Sequence, residues 1–178
     1  MEKVKLLDKD GIYSTIKRLS LEIVENNKKL DNVAIVGIRT RGEVLANKIH
    51  KFILDYKKID LKLGVLDVTF YRDDFRTNLG SPKIGPSNIT FDINGMTIIL
   101  VDDVLYTGRT IRAAMDELFS FGRPDSIQLC ALVDRGHREL PIKANYVGKN
   151  CPTKANEHIY VHFKEIDKND QIFLKKYK

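Results

Sequence analysis

Residues 98–110 read IILVDDVLYTGRT, and the interpretation of this run decides the fold. Its four leading apolar residues, Ile98 to Val101, form the short continuous stretch expected of a strand buried on both faces of a parallel sheet. The strand runs straight into the acid pair Asp102-Asp103 and then into Thr107-Gly108-Arg109-Thr110, a turn that opens a helix. Backbone N–H groups from Tyr106 to Thr110 at a helix N-terminus, with the Thr107 and Thr110 hydroxyls, suit a phosphate monoester. Gly108 lets the backbone approach its ligand closely. Two carboxylates repel phosphate, so their partner is a set of sugar hydroxyls or a hydrated magnesium ion. The plainer alternative, acids that solvate a strand end and a TGRT that merely caps a helix, requires several coincidences in one run.

Outward from this run the chain alternates strands and helices. Ile12, Ile16, Leu19, Ile23 and Leu30 fall at helical spacing across residues 8–29, with Asp8 or Asp10 as cap. Val33 to Ile38 is a second buried strand, followed by a helix from about Gly42 to Tyr56. Leu61 to Tyr71 reads as a long strand, and the Gly-, Pro- and Asn-rich segment of about residues 72–89 as a flexible loop, either a lid or a plain surface excursion. A strand from Thr97, a helix from about Arg109 to Phe121 and a strand from Ile127 to Val133 complete a β-loop-α-β order. Short strands follow at Ala144–Gly148 and His158–Phe163, and the chain ends lysine-rich. The order predicts one α/β domain over residues 1–178, with a mainly parallel central sheet flanked by helices.

Composition narrows the function classes. Hydrophobic residues make up 43% and charged residues 30%, which excludes disorder as the main state. A formal net charge of +6 favours anionic partners. With only two cysteines, Cys130 and Cys151, neither a disulfide framework nor a four-ligand zinc site is available, so a reducing, cytoplasmic compartment is expected. The N-terminal residues carry no apolar leader core and no stretch is long enough to span a membrane, so neither export nor membrane insertion is expected.

Gly37-Ile38-Arg39-Thr40-Arg41-Gly42 has the glycine spacing of a P-loop, but Glu43 stands where the phosphate-binding lysine is needed, which argues against an NTP-hydrolysing site. Arg39 and Arg41 can pair with phosphate oxygens and Thr40 can donate a hydroxyl, or the two arginines are simply solvated in a βα turn.

IILVDDVLYTGRT resembles the phosphoribosyl pyrophosphate (PRPP) signature of the type I phosphoribosyltransferases. The resemblance implies their α/β fold with a flexible active-site loop. It implies that Asp102 and Asp103 contact the ribose hydroxyls, with substrate-borne Mg2+ nearby, and that Val104, Leu105 and the turn from Tyr106 through Thr107, Gly108 and Arg109 to Thr110 cradle the nucleotide and its 5-phosphate. The loop holding Arg39, Thr40 and Arg41 then resembles the family's pyrophosphate loop. TFYRDD, LVDRGHRELP and YVGKN extend the likeness to the bifunctional pyrimidine operon attenuation regulators and uracil phosphoribosyltransferases. That implies synthesis of UMP and pyrophosphate from uracil and PRPP, with Arg72 as a further pyrophosphate contact and the base near Val133, Asp134, Arg135 and Ile159. Asp134 and Arg135 can alternatively form a structural ion pair. Tyr106 stands where hypoxanthine-guanine relatives place an acid, which weighs against purine salvage.

The regulator branch further implies binding of a pyrimidine operon leader mRNA stem-loop, promoted by UMP or UTP. His137, Arg138, Lys143 and Lys149, joined by Lys17 and Arg18, supply the basic face for it, and an ordinary solvated surface is the competing reading. No aromatic interleaving is evident in the sequence, so a folded loop is expected as the target rather than a bare single strand. A salvage phosphoribosyltransferase without an RNA role is the alternative function. The family implies a homodimer or higher homo-oligomer. His158 and His162 share one strand face but lack a third metal ligand, and neither cysteine has an activating partner.

Overall fold

A computed structural model describes residues 2–68 and 86–177. Strand β1 (Glu2–Leu7) leads into helix α1 (Lys9–Asn26). Asp8 caps this helix, its carboxylate accepting the Gly11 N–H at 2.9 Å. Ile12, Ile16, Leu19 and Ile23 are buried along one stripe, as their spacing requires. The helix ends before residue 29 because the Asn27 side chain turns back on it. Its amide donates to Ile23 O at 2.8 Å and joins a buried cluster with Gln128 and the Tyr146 hydroxyl. Leu30 sits in a 3-10 turn.

Strand β2 (Val33–Ile38) is buried throughout and leads into α2 (Arg41–Lys57). Strand β3 (Lys62–Leu66) is shorter than the segment 61–71 suggested, and residues 69–71 lie outside the described residues. Of the loop expected at about 72–89, residues 72–85, Arg72 included, also lie outside them. Its return is held by Asn88, which exchanges two backbone hydrogen bonds with Val65, and by Ser87, whose hydroxyl accepts the Asp67 N–H.

Strand β4 (Thr97–Leu105), helix α3 (Arg109–Phe119) and strands β5 (Ser126–Asp134) and β6 (Tyr146–Asn150) complete a five-stranded parallel sheet of order β3-β2-β4-β5-β6. Helices α1 and α2 bury their apolar stripes on one face, with Ile35, Ile99 and Val101. Helix α3 buries Ile111, Ala114 and Leu118 on the other, with Val36, Ile98 and Leu100. The chain runs from β2 outward to β3, then returns past β2 to β4 and continues the opposite way. Between β2 and β4 the sheet therefore reverses its winding, and the helices that follow these strands diverge to opposite faces. Open α/β sheets bind ligands in the crevice at such a point, beyond the strands' carboxyl ends.

The remaining strands were not anticipated in this arrangement. Strand β7 (Glu157–His162), the short helix α4 (Lys164–Asp167) and strand β8 (Gln171–Lys176) follow. β7 does not extend the parallel sheet. It joins β8 and β1 in a separate antiparallel sheet of order β1-β8-β7, packed so that β7 lies against β4. The lysine-rich end is thus the central strand of this sheet, and Ile172, Phe173 and Leu174 are its buried residues.

Candidate functional site

The acid pair lies inside a strand rather than at its end. β4 stays paired with β5 through Leu105, because Val104 and Leu105 continue the apolar run beyond the acids. Asp102 and Asp103 are accordingly buried, at 4% and 7% exposure. One Asp102 oxygen accepts the Asp103 N–H at 2.9 Å. Among the described residues every buried side-chain nitrogen and oxygen has a hydrogen-bond partner.

The turn after β4 has the expected form. Gly108 takes φ +94, a left-handed conformation that strains other residues, and caps α3. The Thr107 hydroxyl accepts the Arg109 N–H, and Thr107 is buried while Thr110 is half-buried. The first amides of α3 therefore converge at the carboxyl edge of the sheet, beside the acids.

Across the crevice stands the β2–α2 connection, in which the Arg39–Thr40 peptide is cis. Thr40 precedes α2, and its side chain makes no capping hydrogen bond. The glycines of GIRTRG answer to packing. A Cβ on Gly42 would lie 2.6 Å from Val101 O and 3.1 Å from Asp102 Cα, so α2 begins in direct backbone contact with β4 at the acids. The arginines are held by the protein itself. Arg39 pairs with Glu43 at 3.2 Å, reaches Asp67 at 3.9 Å and donates to Pro86 O at 3.2 Å. Arg41 grips Asp167 of α4 through two nitrogens, the closer at 2.6 Å. The reading of two solvated arginines is corrected by these partners, and none of the three carboxylates was foreseen. Glu43 lies one turn along the same helix and was legible, whereas Asp67 and Asp167 arrive through the tertiary fold.

The base-side candidates also converge. Val133, Val104 and Ile159 belong to one apolar cluster where β7 meets the parallel sheet. Arg135 is buried at 6% exposure, donates to the Thr153 hydroxyl and to Glu157 O, and lies 3.9 Å from the Tyr106 ring centroid. It thereby ties β7 to the turn after β4 with a cation–π contact of about 0.5–2 kcal/mol. Asp134 does not pair with Arg135, as one sequence reading allowed. It pairs with Arg138 and accepts the Gly136 N–H at 2.9 Å. Burial alone would raise the Asp134 carboxyl, but these two hydrogen bonds and the Arg138 charge outweigh it and hold the group below the ordinary carboxylate range.

Arg138 was expected on a basic face offered to RNA, with an ordinary solvated surface as the competing reading, and its many protein partners correct the solvated reading. Its side chain is only 21% exposed. Besides Asp134 it donates to Tyr106 O at 2.6 Å and Ile142 O at 3.0 Å, with longer contacts to Leu105 O and Gly136 O. The next two residues, Glu139 and Leu140, donate their N–H groups to Thr107 O, and the Glu139 carboxylate pairs with Arg109 at 2.6 Å. The GHRELP segment therefore buttresses the TGRT turn. Arg138→Ala should unseat that turn, lowering thermal stability by about 1–3 kcal/mol and turnover about tenfold. Melting curves and initial rates check this, and a variant with wild-type values for both would remove the buttress.

Of the other basic candidates, His137 is exposed but bonds Thr153 O through Nε2. Arg18 donates to Val147 O and Gly148 O of β6 and pairs with Glu22. Lys17 and Lys143 are exposed, and Lys149 is half-buried on β6. The structure thus brings α1 and β6 together through Arg18. Ring contacts form elsewhere in the fold. On the antiparallel sheet Tyr160 stacks on Phe173, His162 and His158 meet Phe173 and Tyr177 edge-on, and Lys3 lies over Phe173.

Comparison with known proteins agrees with this geometry. The phosphoribosyl transferase domain model matches residues 4–166. The "Bifunctional protein PyrR" of Listeria monocytogenes serotype 4b is 49% identical over 97% of this chain and 96% of its own. The protein of the same name from Clostridioides difficile is 48% identical over 98% and 99%. Among solved structures, a hypoxanthine-guanine phosphoribosyltransferase from Bacillus anthracis superposes with a TM-score of 0.72 at 19% identity, covering 97% of each chain. The hypoxanthine phosphoribosyltransferase of Trypanosoma cruzi gives 0.73 at 16%, covering 98% of this chain and 97% of the other, a likeness of fold. The parallel sheet, the acid pair in β4, the TGRT turn and near-full-length identity to these relatives together place this chain in the phosphoribosyl transferase domain family, among the bifunctional PyrR proteins.

Proposed function

We propose that the chain makes UMP and pyrophosphate from uracil and PRPP, and that it binds a pyrimidine operon leader RNA stem-loop in response to UMP or UTP. The observation that carries the enzymatic half is the convergence of the acid pair and the TGRT turn at the point where the sheet reverses its winding. The TGRT amides hold the 5-phosphate, and Asp102 and Asp103 accept hydrogen bonds from the ribose hydroxyls. Arg39, Thr40 and Arg41 face the pyrophosphate side, with Arg72 outside the described residues. Displacement at the anomeric carbon needs no protein nucleophile. The chain's work is to orient the base against Val133, Asp134, Arg135 and Ile159 and to stabilise the departing charge.

The donor set fits Mg2+ carried in by substrate. Two adjacent carboxylates supply hard oxygen donors, and among the described residues no group of three or more acids, histidines or cysteines forms a dedicated metal cage. When bound, the ion neutralises pyrophosphate charge. A cytoplasmic homo-oligomer belongs to the same reading. Among the described residues no helix is long and apolar enough to cross a membrane.

Titration of the protein with a labelled leader stem-loop, with and without UMP and across a salt series, tests the regulatory half. UMP should tighten binding about tenfold or more, and affinity should fall steeply with salt. Weak binding that ignores UMP would leave a salvage phosphoribosyltransferase with a basic surface.

A further inference from the structure

We propose that the cleft between α1 and α2 is a second nucleotide site, separate from the phosphoribosyl crevice, that takes a nucleoside triphosphate. The cleft has a volume of about 310 Å3, at the lower end of the range of roughly 300–1,000 Å3 in which small-molecule sites fall. None of its lining residues belongs to the TGRT turn, the acid pair or the GIRTRG loop. No role in the reaction accounts for it.

Its chemistry is divided. The buried Ile12 and Ile16 form the floor with the half-buried Phe52, while Tyr13 stands at the mouth with 64% of its surface exposed. A large ring left in water beside an apolar floor marks a surface that gains by being covered, and a flat base is a body that covers such a floor and the Tyr13 ring together. Around this floor the rim is cationic. Lys9, Lys17, Lys51 and Lys164 line it, with Lys48 already committed to Glu165 at 2.7 Å. The opposing carboxylates are Asp55 and Asp170, and the Asp170 carboxylate accepts the Lys164 N–H at 3.0 Å. An apolar slot rimmed by an excess of lysines is complementary to a body that is flat and apolar at one end and polyanionic at the other. A nucleoside triphosphate is such a molecule, and its several phosphates use the spread of lysines that one carboxylate would leave unpaired.

The position carries a consequence that rests on the RNA reading above. Lys17 lines the cleft and its neighbour Arg18 is bonded to β6, so a bound triphosphate adds negative charge beside the proposed RNA face. Equilibrium dialysis with labelled UTP and, separately, GTP tests the site by counting molecules bound per chain. One of the two probes should show a site that weakens at least tenfold in Lys9→Glu with Lys51→Glu, both exposed lysines, while uracil phosphoribosyl transfer is unchanged. Tyr13→Ala should weaken the same site several-fold, again without loss of turnover. If the phosphoribosyl crevice also takes the probe, the wild type binds two molecules per chain and the charge-reversed variant one. If that assignment fails, the wild type binds one and the variant none, so the two proposals fail separately. Equal stoichiometry and affinity in wild type and the Lys9, Lys51 variant overturns the second site. So does a parallel loss of turnover, because the lost site would then be the catalytic one.

Discussion

Replacing Asp102 and Asp103 together by asparagine is expected to lower kcat/KM for PRPP by roughly a hundredfold to ten-thousandfold and to leave the chain folded. Each carboxylate would lose charge-assisted hydrogen bonds to a sugar hydroxyl, at about 1.5–3 kcal/mol apiece, and every 1.4 kcal/mol is about tenfold in rate. Asparagine preserves the shape of both side chains, which matters because the pair is 4% and 7% exposed. After Asp102→Asn the remaining side-chain oxygen can still accept the neighbouring backbone N–H that the Asp102 carboxylate accepts at 2.9 Å. Initial rates with a melting curve on the same preparation check the result. Wild-type turnover in a folded double variant would withdraw the sugar-binding role, whereas an unfolded one would reassign the pair to structure.

Gly42→Ala should damage stability and catalysis together. A Cβ there meets Val101 O at 2.6 Å and Asp102 Cα at 3.1 Å, both backbone atoms that no rotamer change moves. The start of α2 must then lift from β4. Overpacking of this kind costs about 1–3 kcal/mol, a fall in Tm of roughly 2–12 °C for a chain this size. The contact lies at the acids, and a displacement near 1 Å there can cost about a hundredfold in rate. A variant melting and turning over like wild type would show that the close approach is dispensable. Loss of stability with normal kcat/KM would confine the glycine's role to packing.

What could be read in the chain followed local rules. The stripe Ile12, Ile16, Leu19, Ile23 announces α1 because burial recurs with the helical period, and Asp8 announces its start. The continuous apolar runs at residues 33–38 and 98–101 announce buried parallel strands. The acid pair and the TGRT turn are adjacent in sequence, so their juxtaposition needed no long-range information. β1 and β8 escaped notice because Lys3, Lys5, Lys175 and Lys176 dilute their pattern, and neither strand is meaningful until paired with the other more than 160 residues away. For the same reason the rings of Tyr160 and Phe173, separate in sequence, became neighbours only through the pairing of β7 with β8.

The sequence by itself therefore determined the alternation of elements, the parallel sheet and the adjacency of the acid pair and the TGRT turn, since each is encoded within one run of residues. The tertiary structure alone decided what the charged groups do. Arg138 has a chain of backbone carbonyls within reach, Arg41 has Asp167, Arg39 has Asp67, and Arg135 has the Tyr106 ring. Charge is a property of the residue. Its partner is a property of the fold, because the distance that sets the strength of an electrostatic contact is fixed only when remote segments close upon one another.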